Sequence, residues 1–234
     1  MQGQGLQGLL LIDKPAGWTS FDVVNYVRRL AAQAEGRRPR QVKVGHTGTL
    51  DPFATGLLVL LVGKEYTRRA GELAKLDKTY EVGVCLGASS STGDPEGEIQ
   101  TISGTKPSQT DLQHALERFL GPIQQVPPVY SAIKINGQRA YKLARAGKTV
   151  EIEPRQVTIN KLELVSYTYP KVKLVADVSS GTYIRSLVGD LGTALGTAAY
   201  TTELRRTRIG DFSLQDARLP KTLSAEILKS CLMS

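Results

Sequence analysis

Apolar residues recur along the chain with two periods, and the switches between them mark out its elements. Leu9–Ile12 is a short apolar run closed by Asp13-Lys14-Pro15 and Gly17, which predicts a strand running into a turn. Val23, Val24, Val27, Leu30 and Ala31 then form a stripe at helical spacing, with Thr19 or Ser20 placed to cap the helix and Asp22 in its first turn. Leu57–Val62 is continuously apolar and reads as a buried strand, whereas Tyr80–Leu86 alternates, setting Tyr80, Val82, Val84 and Leu86 on one face. Ala88–Glu98, rich in Ser, Gly and acid, predicts a surface loop. Thr110–Leu120 predicts a helix with Leu112, Ala115, Leu116, Phe119 and Leu120 inward, Gly121 at its C-cap and His114 facing solvent. Two further strands are expected at Val157–Tyr167 and Lys171–Ser179. Gly181 breaks the second before a helix from about Tyr183 to Leu195.

Strands outnumber helices and meet mostly through turns, which favours an α+β fold with a mixed, largely antiparallel central sheet flanked by helices. With no repeat and no long linker, residues 1–234 read as one domain, with Met1–Gly8 frayed and an insertion at about 127–150. No apolar run approaches the roughly 20 residues that span a bilayer. No basic segment precedes an apolar stretch at the N-terminus, so a cytoplasmic protein is expected. Cys85 and Cys231 have neither metal-ligand nor redox spacing.

Charge adds a partner to this picture. Thirty Lys and Arg against 22 Asp and Glu give a formal charge of +8, which suits a polyanion. Arg28, Arg29, Arg37, Arg38, Arg40 and Lys43 are opposed over their stretch only by Glu35. Between Pro127 and Val150 stand Lys134, Arg139, Lys142, Arg145 and Lys148 with no acid, interleaved with Tyr130 and Tyr141. Either segment alone reads as a solvated face; together they point to RNA, with cations for phosphates and aromatics for bases.

The candidate chemistry centres on Gly45-His46-Thr47-Gly48-Thr49-Leu50-Asp51-Pro52. Pro52 turns Asp51 away from helix, and the small residues let the backbone approach a ligand. Two readings of Asp51 stand side by side: a nucleophile or base, and a turn residue bonded to its own backbone. Other chemistries fail on spacing. Gly147-Lys148-Thr149 lacks the earlier glycine of a P-loop, no Gly-x-Ser-x-Gly elbow is present, and two scattered cysteines and two histidines, His46 and His114, do not make a structural metal site. An acid-centred site with no cofactor remains. Ser180-Gly181-Thr182-Tyr183-Ile184-Arg185 breaks a strand at glycine and offers an arginine as its cationic partner.

These segments, with Asp13-Lys14-Pro15-x-Gly17-x-Thr19-Ser20, Lys78-Thr79-Tyr80, Tyr130-Ser131-Ala132-Ile133-Lys134 and Leu204-Arg205-Arg206, resemble the TruB family of tRNA pseudouridine synthases, in order from about Leu9 to Gly210. The resemblance implies an isomerase that extrudes uridine 55 of the tRNA T-loop, breaks the C1′–N1 bond and rejoins the base through C5. It implies Asp51 as the catalytic aspartate, Tyr80 stacked on the base, and Arg185 ion-paired with Asp51. Tyr183 and Leu204 would line the base pocket, His46 would hold the T-loop, and Lys14 would lie near the substrate. The 127–150 insertion resembles the family's RNA-clamping thumb, with Lys134, Arg139, Lys142, Arg145 and Lys148 on the RNA backbone. Flipping a base costs a few kcal/mol, and stacking on an aromatic can return roughly 1–3 kcal/mol. Members usually carry a small C-terminal RNA-binding domain; with residues 211–234 alone beyond Gly210, its absence is expected. Family resemblance implies a stand-alone monomer. The alternatives are an idle RNA-binding protein on the same scaffold and a guide-RNA-dependent relative.

Overall fold

The structure, a computed structural model, describes residues 5–131, 133–135, 137–145 and 152–233. In chain order the first elements are β1 (Gly8–Lys14), α1 (Ser20–Ala34), β2 (Val44–His46), β3 (Thr55–Val62), α2 (Lys64–Arg68) and α3 (Ala70–Leu73). There follow β4 (Lys78–Leu86), β5 (Ala88–Ser90), β6 (Ile99–Thr101), α4 (Gln109–Glu117), β7 (Gly121–Gln125), β8 (Lys134–Ile135), β9 (Gln138–Arg139) and α5 (Ala140–Arg145). The last are β10 (Arg155–Thr168), β11 (Lys171–Val178), α6 (Ile184–Ala194), β12 (Ala199–Ile209) and β13 (Phe212–Ser213). The chain divides into two compact units, residues 1–80 with 204–234, and residues 81–203; β4 and β12 each run from one into the other.

In the first unit the strand order is β1-β3-β12, with β2 also on β3 and β13 on β12. β1 pairs antiparallel with β3 from Gly8↔Val62 to Lys14↔Gly56, and β12 pairs parallel with β3 at Arg206↔Gly56. The unbroken apolar run of β3 is explained by cores on both its faces. Leu58, Leu60 and Val62 pack with Leu10, Ile12 and the Val23, Val24 and Val27 stripe of α1. Leu57, Val59 and Leu61 pack on the other side with Leu9, Leu11, Leu73 and Ile209. Each such buried leucine contributes roughly 1.5–3 kcal/mol. Helix α1 begins as its sequence predicts. The Thr19 hydroxyl accepts from the Asp22 amide, and the Asp22 carboxylate accepts from the Thr19 amide at 2.8 Å.

The second unit carries β4-β11-β10-β7, in which β10 is antiparallel to both β11 and β7. Leu112, Ala115 and Leu116 of α4 and Leu187, Val188 and Leu191 of α6 are buried, together with Val172, Leu174, Ala176 and Val178 of β11. This is the α+β, mixed and largely antiparallel arrangement expected.

Two local expectations need correction. Helix α4 ends at Glu117, so Leu120 lies outside it and is 47% exposed; Gly121, with φ +85°, opens β7 rather than closing the helix. The Ala88–Glu98 segment is not wholly a surface loop. Its start pairs with Ile99–Thr101 as a hairpin, and Asp94 within it is 3% exposed.

Gly56 sits where β12 comes closest to β3. It has φ +99°, and a Cβ there would lie 2.3 Å from the Arg206 carbonyl oxygen. Gly196 has φ +64° with open space around it. Gly196→Ala is therefore expected to cost only the left-handed backbone, about 1–2 kcal/mol, and Gly56→Ala clearly more because the β12 backbone must move. Urea unfolding of both variants checks this, and equal losses would sink the close-approach account.

Candidate active site

The loop that carries Asp51 leaves β2 at His46 and rejoins the sheet at Thr55 in β3. It is fastened from four directions, mostly by buried groups. The Thr47 amide donates to the Val59 carbonyl at 3.2 Å. The Ser20 hydroxyl, at the start of α1, donates to the Leu50 carbonyl at 3.1 Å and accepts from its amide at 2.8 Å. The Pro52 carbonyl accepts from the Gly17 amide at 2.9 Å and from the Lys14 ammonium at 3.2 Å. Below Gly48, Arg206 donates through Nη2 to the Gly48 carbonyl at 3.1 Å and through Nε to the Leu57 carbonyl at 2.7 Å. Asp51 itself is half-buried, and its carbonyl accepts from the Ala54 amide at 3.1 Å.

Lys14 was expected near the substrate. It has no exposed surface, and its ammonium also donates to the carbonyls of Trp18 at 2.6 Å and Pro15 at 3.0 Å, which makes it a fastener of the loop. His46 is half-buried on β2, opposite Leu60. Tyr80 on β4 and Leu204 on β12 are 7% and 8% exposed. These four and Asp51 all belong to the first unit.

Tyr183 and Arg185 stand in the second unit, at the start of α6. The Tyr183 amide donates to Gln125 Oε1 at 2.8 Å, and Gln125 Nε2 donates back to the Tyr183 carbonyl at 3.1 Å. Arg185 is buried rather than presented to solvent. Its Nη1 donates to Asp94 Oδ2 at 3.1 Å and to the Thr92 carbonyl at 2.8 Å; its Nη2 donates to the Tyr130 carbonyl at 2.8 Å. Asp94 is held in turn by the Thr92 hydroxyl at 2.5 Å and the Glu96 amide at 3.0 Å. Asp94 is the residue that sequence reasoning missed. Its signal was a short polar residue flanked by others able to bond it within a tight turn.

Of the RNA-backbone candidates, Lys148 lies outside the described residues, as do the side chains of Lys134, Arg139, Lys142 and Arg145. Their backbone forms the β8–β9 hairpin, pairing Lys134 with Arg139, followed by α5. Among the described residues no group of three or more His, Cys, Asp or Glu could hold a metal. No described helix is long and apolar enough to cross a membrane.

Lys78 is a second buried cation near Arg206. A Cβ on Gly48 would lie 3.7 Å from both Arg206 Nη1 and Lys78 Cε. The Lys78 ammonium donates to the carbonyls of Ala74, at 2.9 Å, and Leu76. Burial and, next, the charge of Arg206 pull its pKa from 10.5 to about 8, against the opposing pull of Asp77.

Two outcomes follow. Between pH 8 and 10.5 the folded state binds fewer protons at Lys78 than the unfolded state, so its contribution to stability rises with pH there and is flat below. Urea unfolding at several pH values should show wild type gaining on Lys78→Met across that window; parallel curves would remove the effect. The Arg185–Asp94 side chains are 6% and 4% exposed, so Asp94→Ala strands a buried guanidinium and should cost about 3–5 kcal/mol. A loss below about 1 kcal/mol in the same assay, a surface pair's range, would contradict it.

Comparison with known proteins places this geometry. Residues 37–184 match the model for the TruB family pseudouridylate synthase N-terminal domain, and residues 185–230 that for the tRNA pseudouridylate synthase B C-terminal domain. The chain is 47% identical over 211 residues to the tRNA pseudouridine synthase B of Pseudomonas putida, covering 90% of this chain and 66% of that relative, just under two thirds of its length. It is 46% identical over 228 residues to that of Thermobifida fusca, covering 94% and 75%. Among solved structures it is similar to a chain in a Cbf5–Nop10–Gar1 complex, with a TM-score of 0.68 and 28% identity over 91% of this chain and 52% of that one. A second is in the archaeal box H/ACA sRNP Nop10–Cbf5 complex, with a TM-score of 0.65 and 26% identity over 92% and 51%. The chain belongs to the TruB family of pseudouridylate synthases.

Proposed function

We propose that this chain converts uridine 55 in the T-loop of tRNA to pseudouridine, acting alone as a cytoplasmic monomer, with residues 1–234 serving as its catalytic domain. The observation that supports this reading most is the way Asp51 is presented. A half-buried carboxylate stands on a loop whose neighbours Gly48, Leu50 and Pro52 are all fastened by buried side chains. A turn that served only its own backbone would need none of these attachments. Such fastening holds an attacking group in one direction, which is where much of an enzyme's advantage arises.

In this reading the target base is turned out of the T-loop and stacks on Tyr80, with Tyr183 and Leu204 lining its pocket and His46 keeping the loop open. Asp51 is the nucleophile, and the bond its carboxylate forms breaks again when the base is rejoined, which returns the free carboxylate. The C1′–N1 bond breaks with its electron pair leaving on uracil, the base turns, and C5 bonds to C1′. C5 then gives up its hydrogen as a proton, a transfer in which Tyr80 serves. Arg185 pairs with Asp51 and keeps it ionised, while its contacts with Asp94 and Tyr130 hold the guanidinium in place. The basic 127–150 segment, through Lys134, Arg139, Lys142, Arg145 and Lys148, binds phosphates and makes affinity fall with salt. No step calls for a metal or an organic cofactor.

Relatives at 46–47% identity are named as tRNA pseudouridine synthases, which favours tRNA over a guide-dependent target. The wild type is expected to release tritium from [5-³H]uridine in a T-arm hairpin, because C5 becomes the point of attachment. Asp51→Asn should abolish release and leave hairpin binding within about threefold, since it is placed in chemistry rather than docking. Binding without release by wild type would favour an idle RNA-binding protein. Near-normal turnover by Asp51→Asn would remove the acid from its role.

A further inference from the structure

The sequence run from Arg28 to Lys43 reads as scattered cations, but the fold gathers part of it into one place. Arg28 from α1, Pro39 and Arg40 from the short 3₁₀ turn before β2, Lys43 and Gly45 at β2, and Thr67 from α2 line a half-open groove of about 380 Å³. All belong to the first unit. That volume is in the range of ligand sites, but the lining is cationic, and no carboxylate is part of it. Of the acids near it in sequence, Glu35 is already engaged by Arg37 at 3.1 Å and by the Leu6 amide at 2.6 Å, and Glu65, two residues before Thr67, is exposed and outside the lining.

The groove is also built before anything enters it. Arg28 donates to Asn25 Oδ1 at 2.6 Å and to the Val44 carbonyl at 3.2 Å, and its guanidinium lies 5.8 Å from the Phe21 ring centroid. The 3₁₀ turn carrying Arg40 is closed by Gln41, whose side-chain oxygen accepts from the Arg38 amide at 3.0 Å. The Lys43 carbonyl accepts from the Gly63 amide at 2.8 Å. The Arg28 guanidinium, fixed in this way, loses little freedom on meeting an anion, while Arg40 and Lys43 reach out from a held backbone with exposed side chains. Arginine's planar fork matches phosphate oxygens particularly well.

We propose that this groove binds a backbone phosphate of the same RNA, on a path that runs along β2 toward His46 and the Asp51 loop. It is a contact on the first unit itself, separate from the 127–150 segment. The proposal rests on the reading of the chain as an RNA-modifying enzyme. A half-open groove leading along a strand suits a continuous phosphodiester chain better than a free anion, which is held best where donors close around it.

The test uses the full chain with Arg40→Gln and Lys43→Gln combined, a control pair of exposed cations, Lys221→Gln with Lys229→Gln, and a T-arm hairpin. Losing the groove's phosphate contact should lower the slope of log affinity against log salt by about 0.7–0.9. KM for tritium release should rise while kcat at saturating hairpin holds, and the control pair should do neither. Replacing hairpin phosphates one at a time by neutral methylphosphonates should weaken wild type at one or two linkages where the double variant loses nothing further. An unchanged slope, an equal loss in the control pair, or no linkage with such coupling would overturn the groove. Saturable binding of inorganic phosphate that leaves hairpin binding untouched would make it a free-anion site instead. A wild type that neither binds nor modifies the hairpin removes both readings; an active wild type with an unaltered double variant removes only the groove.

Discussion

The guanidinium of Arg206 is the point on which the first unit turns. At 1% exposure it reaches from β12 to the Leu57 carbonyl in β3 and to the Gly48 carbonyl in the loop ahead of Asp51. The strand pairing that brings it there depends on Gly56, whose missing side chain lets the Arg206 backbone lie against β3. Sheet and loop are thus one object. A loop joined to a sheet only by its two ends would sample many directions for Asp51. One tied at its middle to a strand buried on both faces does not.

The buried cations of the first unit share a chemical peculiarity. Lys14, Lys78 and Arg206 are all cations, all buried, and their described hydrogen-bond partners are backbone carbonyls. Burying charge is costly unless hydrogen bonds replace water, and the carbonyls supply those bonds. Lys14 thus stands on the Pro52 side of Asp51 and Arg206 on the Gly48 side, each holding the loop by its backbone.

What could be read from the sequence, and what could not, divides along physical lines. The α1 stripe and the β3 run were legible because burial is written into period and hydropathy. Arg185 and Asp94 were harder. A charged residue defaults to the surface, and only partners distant in sequence, Thr92 and Tyr130 for Arg185, show that it is buried. Lys14 was hard to place for the same reason: its motif marked it as important, but its bond to the loop depends on where Pro52 comes to rest. The division into two units was invisible because it depends on the chain's ends meeting. The Leu9 amide bonds the Met233 carbonyl, and the Arg218 amide the Leu11 carbonyl, pairings no local pattern announces.

In the second unit, the first turn of α6 does two jobs with one set of bonds. Gln125 is locked to both the amide and the carbonyl of Tyr183, and the Ser186 hydroxyl donates to the Val126 carbonyl at 2.8 Å. Arg185 holds the Tyr130 carbonyl while it holds Asp94. The entrance to the basic 127–150 segment is therefore anchored on the same turn that carries the proposed partner of Asp51. Displacing Tyr130 removes a hydrogen bond from the buried guanidinium, while those to Asp94 and Thr92 remain. The segment proposed to grip RNA and the arginine proposed to steady Asp51 are joined by single hydrogen bonds, not by a long relay, so in this reading order imposed on the one is felt by the other.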